Sequence, residues 1–205
     1  MGQNQTYNAT KTITMNVCKK NNFIFIHIPK TAGSSIYRSL GLEDVQHMSQ
    51  KNIIKKQCKD LDHKKMFKFA FTRNPWDRFL SLYFYMFQGP DWQKEKVRNV
   101  INFPTFARLY YNDYTIVGHR VWEVHYKPQI EWLDLESIDF IGRFESLQED
   151  FNTVCDRINV PRKKLLHQNK TKHKHYSEYY NKKTRDMIAE KYAKDIEYFG
   201  YEFGQ

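Results

Sequence analysis

Apolar positions along the chain fall into two alternating periods. Phe23-Ile24-Phe25-Ile26-His27-Ile28 is a run of apolar, β-branched and aromatic residues broken only by His27 and stopped by Pro29, the pattern of a strand buried on both faces of a parallel sheet. From Ser34 the spacing becomes helical through Ile36, Tyr37 and Leu40, and Gly41 closes it. Ser49 is placed to cap a second helix carrying Ile53, Ile54 and Cys58, and Met66 to Thr72 reads as the next strand. Arg73-Asn74-Pro75 turns the chain into an aromatic helix over 76–87, with Phe79, Leu82, Tyr83 and Met86 on one face, ended by Gly89-Pro90. Residues 93–111 suggest one or two helices, the second opening near Pro104, and 112–127 show no clear period. Ile138 to Gly142 is a third strand, Glu145 to Val160 a helix before Pro161, and 184–198 an amphipathic helix through Met187, Ile188, Tyr192 and Ile196.

Strands alternating with helices of this length predict an α/β fold with a central, mostly parallel sheet flanked by helices. The first 21 residues, rich in Asn, Thr, Gln and Lys without period, read as a loosely ordered arm. Order is expected from Phe23, with residues 22–205 forming a single domain. Composition agrees: 40% apolar and 16% aromatic residues support a packed core and exclude global disorder. No window approaches the roughly 18 apolar residues of a membrane span, and the first 22 residues lack the apolar core of a signal peptide. A cytoplasmic protein without a transmembrane segment is the expectation.

Charge narrows the partners. Lys plus Arg number 33 against 23 Asp plus Glu, and the surplus of +10 favours an anion without naming one. Cys18, Cys58 and Cys155, odd in number and far apart, fit neither a disulfide framework nor a cysteine-based zinc site. Sequons at Asn4, Asn8 and Asn169 mean little without a secretory signal, and Met1-Gly2 with Thr6 matches only the minimal acylation pattern.

Pro29-Lys30-Thr31-Ala32-Gly33-Ser34-Ser35 lies between a strand and a helix, where α/β proteins bind ligands. Backbone N–H groups, the helix dipole and small residues there suit an anion, with lysine and hydroxyls as added donors. An ordinary turn with an exposed lysine is the competing reading. A nucleotide P-loop ends in Gly-Lys-Ser/Thr, whereas this lysine precedes its glycine, which argues against ATP. A second anchor follows the next strand. Arg73 can fork onto a phosphate, and Ser81, two helical turns on, can donate to the same group.

These two segments, in this order, resemble the 5′-phosphosulfate loop and the 3′-phosphate signature of sulfotransferases that use 3′-phosphoadenosine 5′-phosphosulfate (PAPS). The resemblance continues in His125-Tyr126-Lys127-Pro128-Gln129 with Trp132-Leu133, in Ile141 to Leu147, and in Asp195-Ile196-Glu197-Tyr198-Phe199-Gly200-Tyr201. It covers roughly residues 22 to 203 and is similar to the carbohydrate branch, including uronyl 2-O and chondroitin-type enzymes and small microbial relatives. It implies a three-layer, P-loop-like fold, a hydroxyl acceptor that is a carbohydrate, and no metal. Lys30 would stand beside the bridging oxygen, with Pro29, Thr31, Ala32, Gly33, Ser34 and Ser35 around the 5′ group, and Arg73 and Ser81 on the 3′-phosphate. Acceptor activation needs a base titrating near neutrality, for which histidine is best suited. His47 leads, in the interval where such relatives carry a histidine; His125 is second, and His27 reads as packed beside the loop. Asp or Glu remains open as the base.

Arg162 to His175 is strongly basic. It reads equally as a solvated loop or, by the resemblance, as a segment closing over the nucleotide with Lys170 and Lys172 near the 3′-phosphate. Trp92, Tyr110, Tyr111, Tyr114 and Trp122 are candidates for stacking on sugar rings, although most aromatics are core. An ATP-dependent kinase or nucleotide phosphotransferase and a basic nucleic-acid-binding domain stand as alternatives. The first lacks an obvious magnesium-binding pair and the second lacks a binding module.

Overall fold

Two consecutive parallel strands buried on both faces organise the molecule. A computed structural model describes residues 16–42, 47–87, 101–112, 123–165 and 174–205. Its sheet has four strands in the order β1 (Val17–Cys18), β2 (Phe23–Ile26), β3 (Phe67–Thr72) and β4 (Phe140–Arg143). β1 runs antiparallel to β2, and the β2–β3 and β3–β4 pairs are parallel, with Phe25 opposite Phe69 and Phe71 opposite Gly142. Every residue of β2 is buried, which is why its pattern is continuous rather than alternating.

Helices cover both faces. On one, Phe23, Phe25, Phe69 and Phe71 pack with Ile36 and Tyr37 of α1 (Gly33–Ser39) and with the buried stripe Phe151, Val154, Cys155 and Ile158, the first three of which lie in the helix Leu147–Arg157. On the other, Ile24, Ile26, Ile28 and Ala70 meet Ile53 of α2 (Gln50–Gln57) and Trp132. A separate helical cluster joins Phe79, Leu80, Leu82 and Met86 of α3 (Pro75–Phe87) to Phe103 and Phe106 of α4 (Phe103–Tyr111). Ile188 and Tyr192 complete it from the C-terminal helices. The expected three-layer α/β architecture is therefore present. Loops 29–32 and 73–74 leave the carboxyl ends of the adjacent strands β2 and β3.

Several boundaries depart from the reading above, β2 ending at Ile26 rather than Ile28 and β4 running from Phe140 to Arg143 rather than from Ile138 to Gly142. Asn16 to Cys18, read as part of the arm, instead form the sheet edge, where buried Asn16 donates through Nδ2 to the Phe25 carbonyl (3.2 Å) and the Tyr37 hydroxyl (2.8 Å). A strand of two residues is too short to show a period. The helix read from Glu145 starts as α6 at Leu147, because Glu145 lies in a 3-10 turn and accepts the Asn74 N–H (2.7 Å). The stretch 184–198 is two helices, α7 (Lys182–Lys191) and α8 (Ala193–Phe199), hinged at Tyr192. That residue leaves helical geometry while its hydroxyl donates to the Tyr126 carbonyl (2.8 Å). α5 (Glu123–Tyr126) falls in the stretch without a period.

Phe151 is 0% exposed at the centre of the α6–sheet interface. Phe151→Ala should cost about 3–5 kcal/mol in urea unfolding; a loss under about 1 kcal/mol would contradict this packing.

Candidate active site

The loop after β2 holds two side-chain-bearing residues in left-handed backbone, Lys30 (φ 69°) and Ala32 (φ 67°). Such conformations cost on the order of 1–3 kcal/mol each, and they recur in turns whose successive amides face a common point. The Ser35 amide bonds back to the Ala32 carbonyl (3.0 Å), and no side chain caps α1. Gly33 is required by close packing: a Cβ there would lie 1.9 Å from the His27 imidazole. Thr31 is fully buried and donates its hydroxyl to the Ile28 carbonyl (2.9 Å). Its oxygen thus shapes the loop rather than facing outward, leaving Ser34 and Ser35 as the hydroxyls of the helix start.

Arg73 leaves β3 and reaches the same loop. Its Nε donates to Asp77 Oδ2 (2.8 Å), its Nη1 to the Lys30 carbonyl (3.2 Å), and its guanidinium carbon lies 3.9 Å from the centroid of the Phe144 ring. The side chain is 10% exposed, and Nη2 has no hydrogen-bond partner among the described residues. Lys30 Nζ lies 4.0 Å from the Tyr85 ring centroid. Asp77 and Tyr85 are eight positions apart on α3, so half-buried Ser81, midway between them, shares the face that meets Arg73 and Lys30. Burial, assisted by neighbouring Arg73, lowers the Lys30 pKa to about 8.

Three histidines gather beside the lysine. The rings of His27 and His47 are 4.3 Å apart, those of His47 and His125 5.2 Å, and His125 stacks 6.0 Å from Tyr85. His47 Nδ1 sits 3.2 Å from the His27 carbonyl oxygen. A carbonyl only accepts, so Nδ1 carries the hydrogen and the basic lone pair lies at Nε2. His27 is 4% exposed, and burial, followed by His47, His125 and Lys30, holds its pKa well below the usual imidazole range. It is a packed, neutral ring under Gly33.

Arg78, unnoticed in the sequence, is 2% exposed and bonds three carbonyls: Pro29 (3.0 Å) from Nε, and His125 (3.0 Å) and Lys127 (2.8 Å) from Nη2. Gln129, equally buried, grips both backbone groups of Arg73, accepting its N–H (2.9 Å) and donating to its carbonyl (2.8 Å). A sequence signal existed for Arg78, since it occupies the stripe of Leu82 and Met86 where an apolar residue is expected. Of the aromatic candidates, Tyr110 packs 3.9 Å from Tyr126 and 5.2 Å from Phe79, and Tyr111 donates to Glu190 on the surface (2.7 Å). Lys170, Lys172, Trp92, Tyr114 and Trp122 lie outside the described residues. Among the described residues no group of three or more His, Cys, Asp or Glu is arranged to hold a metal, and no helix is long and apolar enough to cross a membrane.

The model of the sulfotransferase family matches residues 14–202. The chain belongs to the sulfotransferase family. No curated protein and no solved structure matches it. Lys30 and Arg73 bring two positive groups together in the loops that follow the adjacent strands β2 and β3. The family match begins before β1 and runs through α8, so the sheet edge and the hinged C-terminal helices lie within it.

A lysine titrating near pH 8 in the folded protein keeps its proton to its ordinary 10.5 when unfolded. The unfolded chain therefore binds more protons across that interval, and this group adds stability as pH rises through it. The gain in urea stability from pH 8 to 10 should be smaller in Lys30→Met than in the unaltered protein; equal gains would remove the shift.

Proposed function

We propose that this protein transfers the sulfuryl group of PAPS to a hydroxyl of a carbohydrate acceptor, in line, with Lys30 and Arg73 gripping the donor and His47 as base. The observation that carries this reading is the contact of the Arg73 guanidinium with the Lys30 carbonyl, which sets the two proposed phosphate anchors side by side. The donor set fits a nucleotide phosphorylated at both ends. The left-handed turn at Lys30 and Ala32, with Ser34 and Ser35, suits the 5′ side, while Arg73 Nη2 and Ser81 suit a second phosphate. ATP, lacking a 3′-phosphate, would leave that second anchor unused.

In the reaction the acceptor oxygen forms its bond to sulfur as the bond from sulfur to the phosphate oxygen breaks. His47 Nε2 takes the hydroxyl proton, and the Lys30 ammonium neutralises charge on the departing 3′,5′-phosphoadenosine. His125 stands next to His47 as the alternative base, and Lys170 and Lys172 would close on the 3′-phosphate. Tyr85, 44% exposed beside Lys30 and His125, offers an aromatic wall to the C–H face of a sugar, which supports the carbohydrate branch.

Thermal shift tests the donor: 3′,5′-phosphoadenosine should raise the melting temperature where ATP with magnesium does not. Stabilisation by ATP alone would favour a kinase, and salt-sensitive binding of nucleic acid alone a nucleic-acid-binding domain. Binding should also take up a proton near pH 8, since phosphate favours the lysine ammonium, so affinity declines as pH rises above about 8.

Among variants, Lys30→Ala should lose roughly 100- to 1000-fold in turnover. Arg73→Ala should weaken 3′,5′-phosphoadenosine binding roughly 10- to 100-fold. His47→Ala should lose about 100-fold or more in turnover with donor affinity unchanged. Near-normal turnover in the lysine or histidine variant, or an unchanged dissociation constant in the arginine variant, would strip that residue of its role.

A further inference from the structure

We propose that Asp195, on α8, is a positioning residue for sulfuryl transfer, holding Arg73 and His125 in a single frame through the segment 125–130. The inference rests on the function proposed above. Asp195 is 0% exposed, and its carboxylate accepts the backbone N–H groups of Gln129 (2.7 Å) and Ile130 (2.9 Å), the first amides of the 3-10 turn Gln129–Trp132. Pro128 before that turn has no N–H to offer.

The other end of the segment is held by opposite charge. Arg78 binds the carbonyls of His125 and Lys127, so a cation grips the segment's acceptors and an anion its donors. From this bracketed stretch Gln129 reaches both backbone groups of Arg73. Displacing the turn therefore displaces the arginine proposed for the 3′-phosphate and the histidine next to His47 together. A buried carboxylate is an expensive way to fill space, and burial raises its pKa against the pull of the two amides and Arg78. What an apolar residue cannot do is accept two amide hydrogens.

Asp195→Asn keeps the shape and presents an NH2 group to one of those amides. It should weaken 3′,5′-phosphoadenosine binding about tenfold, the equivalent of one charged hydrogen bond. Turnover should fall about hundredfold, because a displacement near 1 Å carries that cost. Calorimetric binding is measured below the melting temperature of every variant, beside Ile188→Val, a core change that lowers melting while leaving every hydrogen bond to the segment in place. Ile188→Val should bind as the unaltered protein does. Gln129→Met should reproduce the affinity loss, and the double variant Asp195→Asn with Gln129→Met should lose no more than Gln129→Met alone.

Unaltered affinity in Asp195→Asn, equal losses in the Ile188→Val control, or strictly additive losses in the double variant would overturn the inference while leaving the function standing. If Asp195→Asn does not fold, Gln129→Met decides: weakened binding in a folded protein supports the frame, and normal binding rejects it. An unaltered protein that fails to bind the nucleotide overturns the proposed donor, and this inference with it.

Discussion

The rest of the site depends on two buried guanidinium groups pulling carbonyl oxygens inward. Arg78 holds the carbonyl of Pro29 and Arg73 that of Lys30. In a trans peptide the carbonyl and the N–H of the next residue point in opposite directions, so anchoring these two oxygens aims the amides of Lys30 and Thr31 the other way. The loop's polarity is thus imposed from beneath. Burying two such cations is tolerable because carbonyl oxygens and the Asp77 carboxylate replace the lost water. The left-handed turns at Lys30 and Ala32 are the local strain that this arrangement sustains.

The packed layers serve that arrangement. Parallel strands β2 and β3 release their chains at the same end of the sheet, which brings a lysine and an arginine 43 positions apart in sequence into contact. The His27 ring fills the space beneath Gly33 and lends its carbonyl to His47, so one residue both supports the loop after β2 and selects the tautomer of the histidine beside it. Burial then acts on chemistry as well as stability, since the same desolvation that keeps His27 neutral brings Lys30 toward neutral pH.

How much of this was legible along the chain follows from where each signal resides. β2, β3 and the aromatic α3 were readable because they are buried and long enough to show continuous or helical patterning. β1 was not, being two residues long, and neither was the hinge at Tyr192, because the helical period of Ile188, Tyr192 and Ile196 continues through it. Lys30, Arg73 and Ser81 stood out because their segments resemble known motifs, and the three histidines because their side chains titrate. Arg78, Gln129 and Asp195 act on backbone groups 47 to 66 positions away, contacts that no local pattern encodes. The one trace is Arg78, a charged residue where the stripe of Leu82 and Met86 calls for an apolar one.

The dependence of the Pro29–Lys30 turn on Arg73 and Arg78 limits what can be done with it as a module. Grafted onto another scaffold, the seven-residue motif would arrive without the cations that orient its peptide planes, and would relax into an ordinary bend. The smallest transplantable unit is the motif together with the following strand end and the first turns of α3.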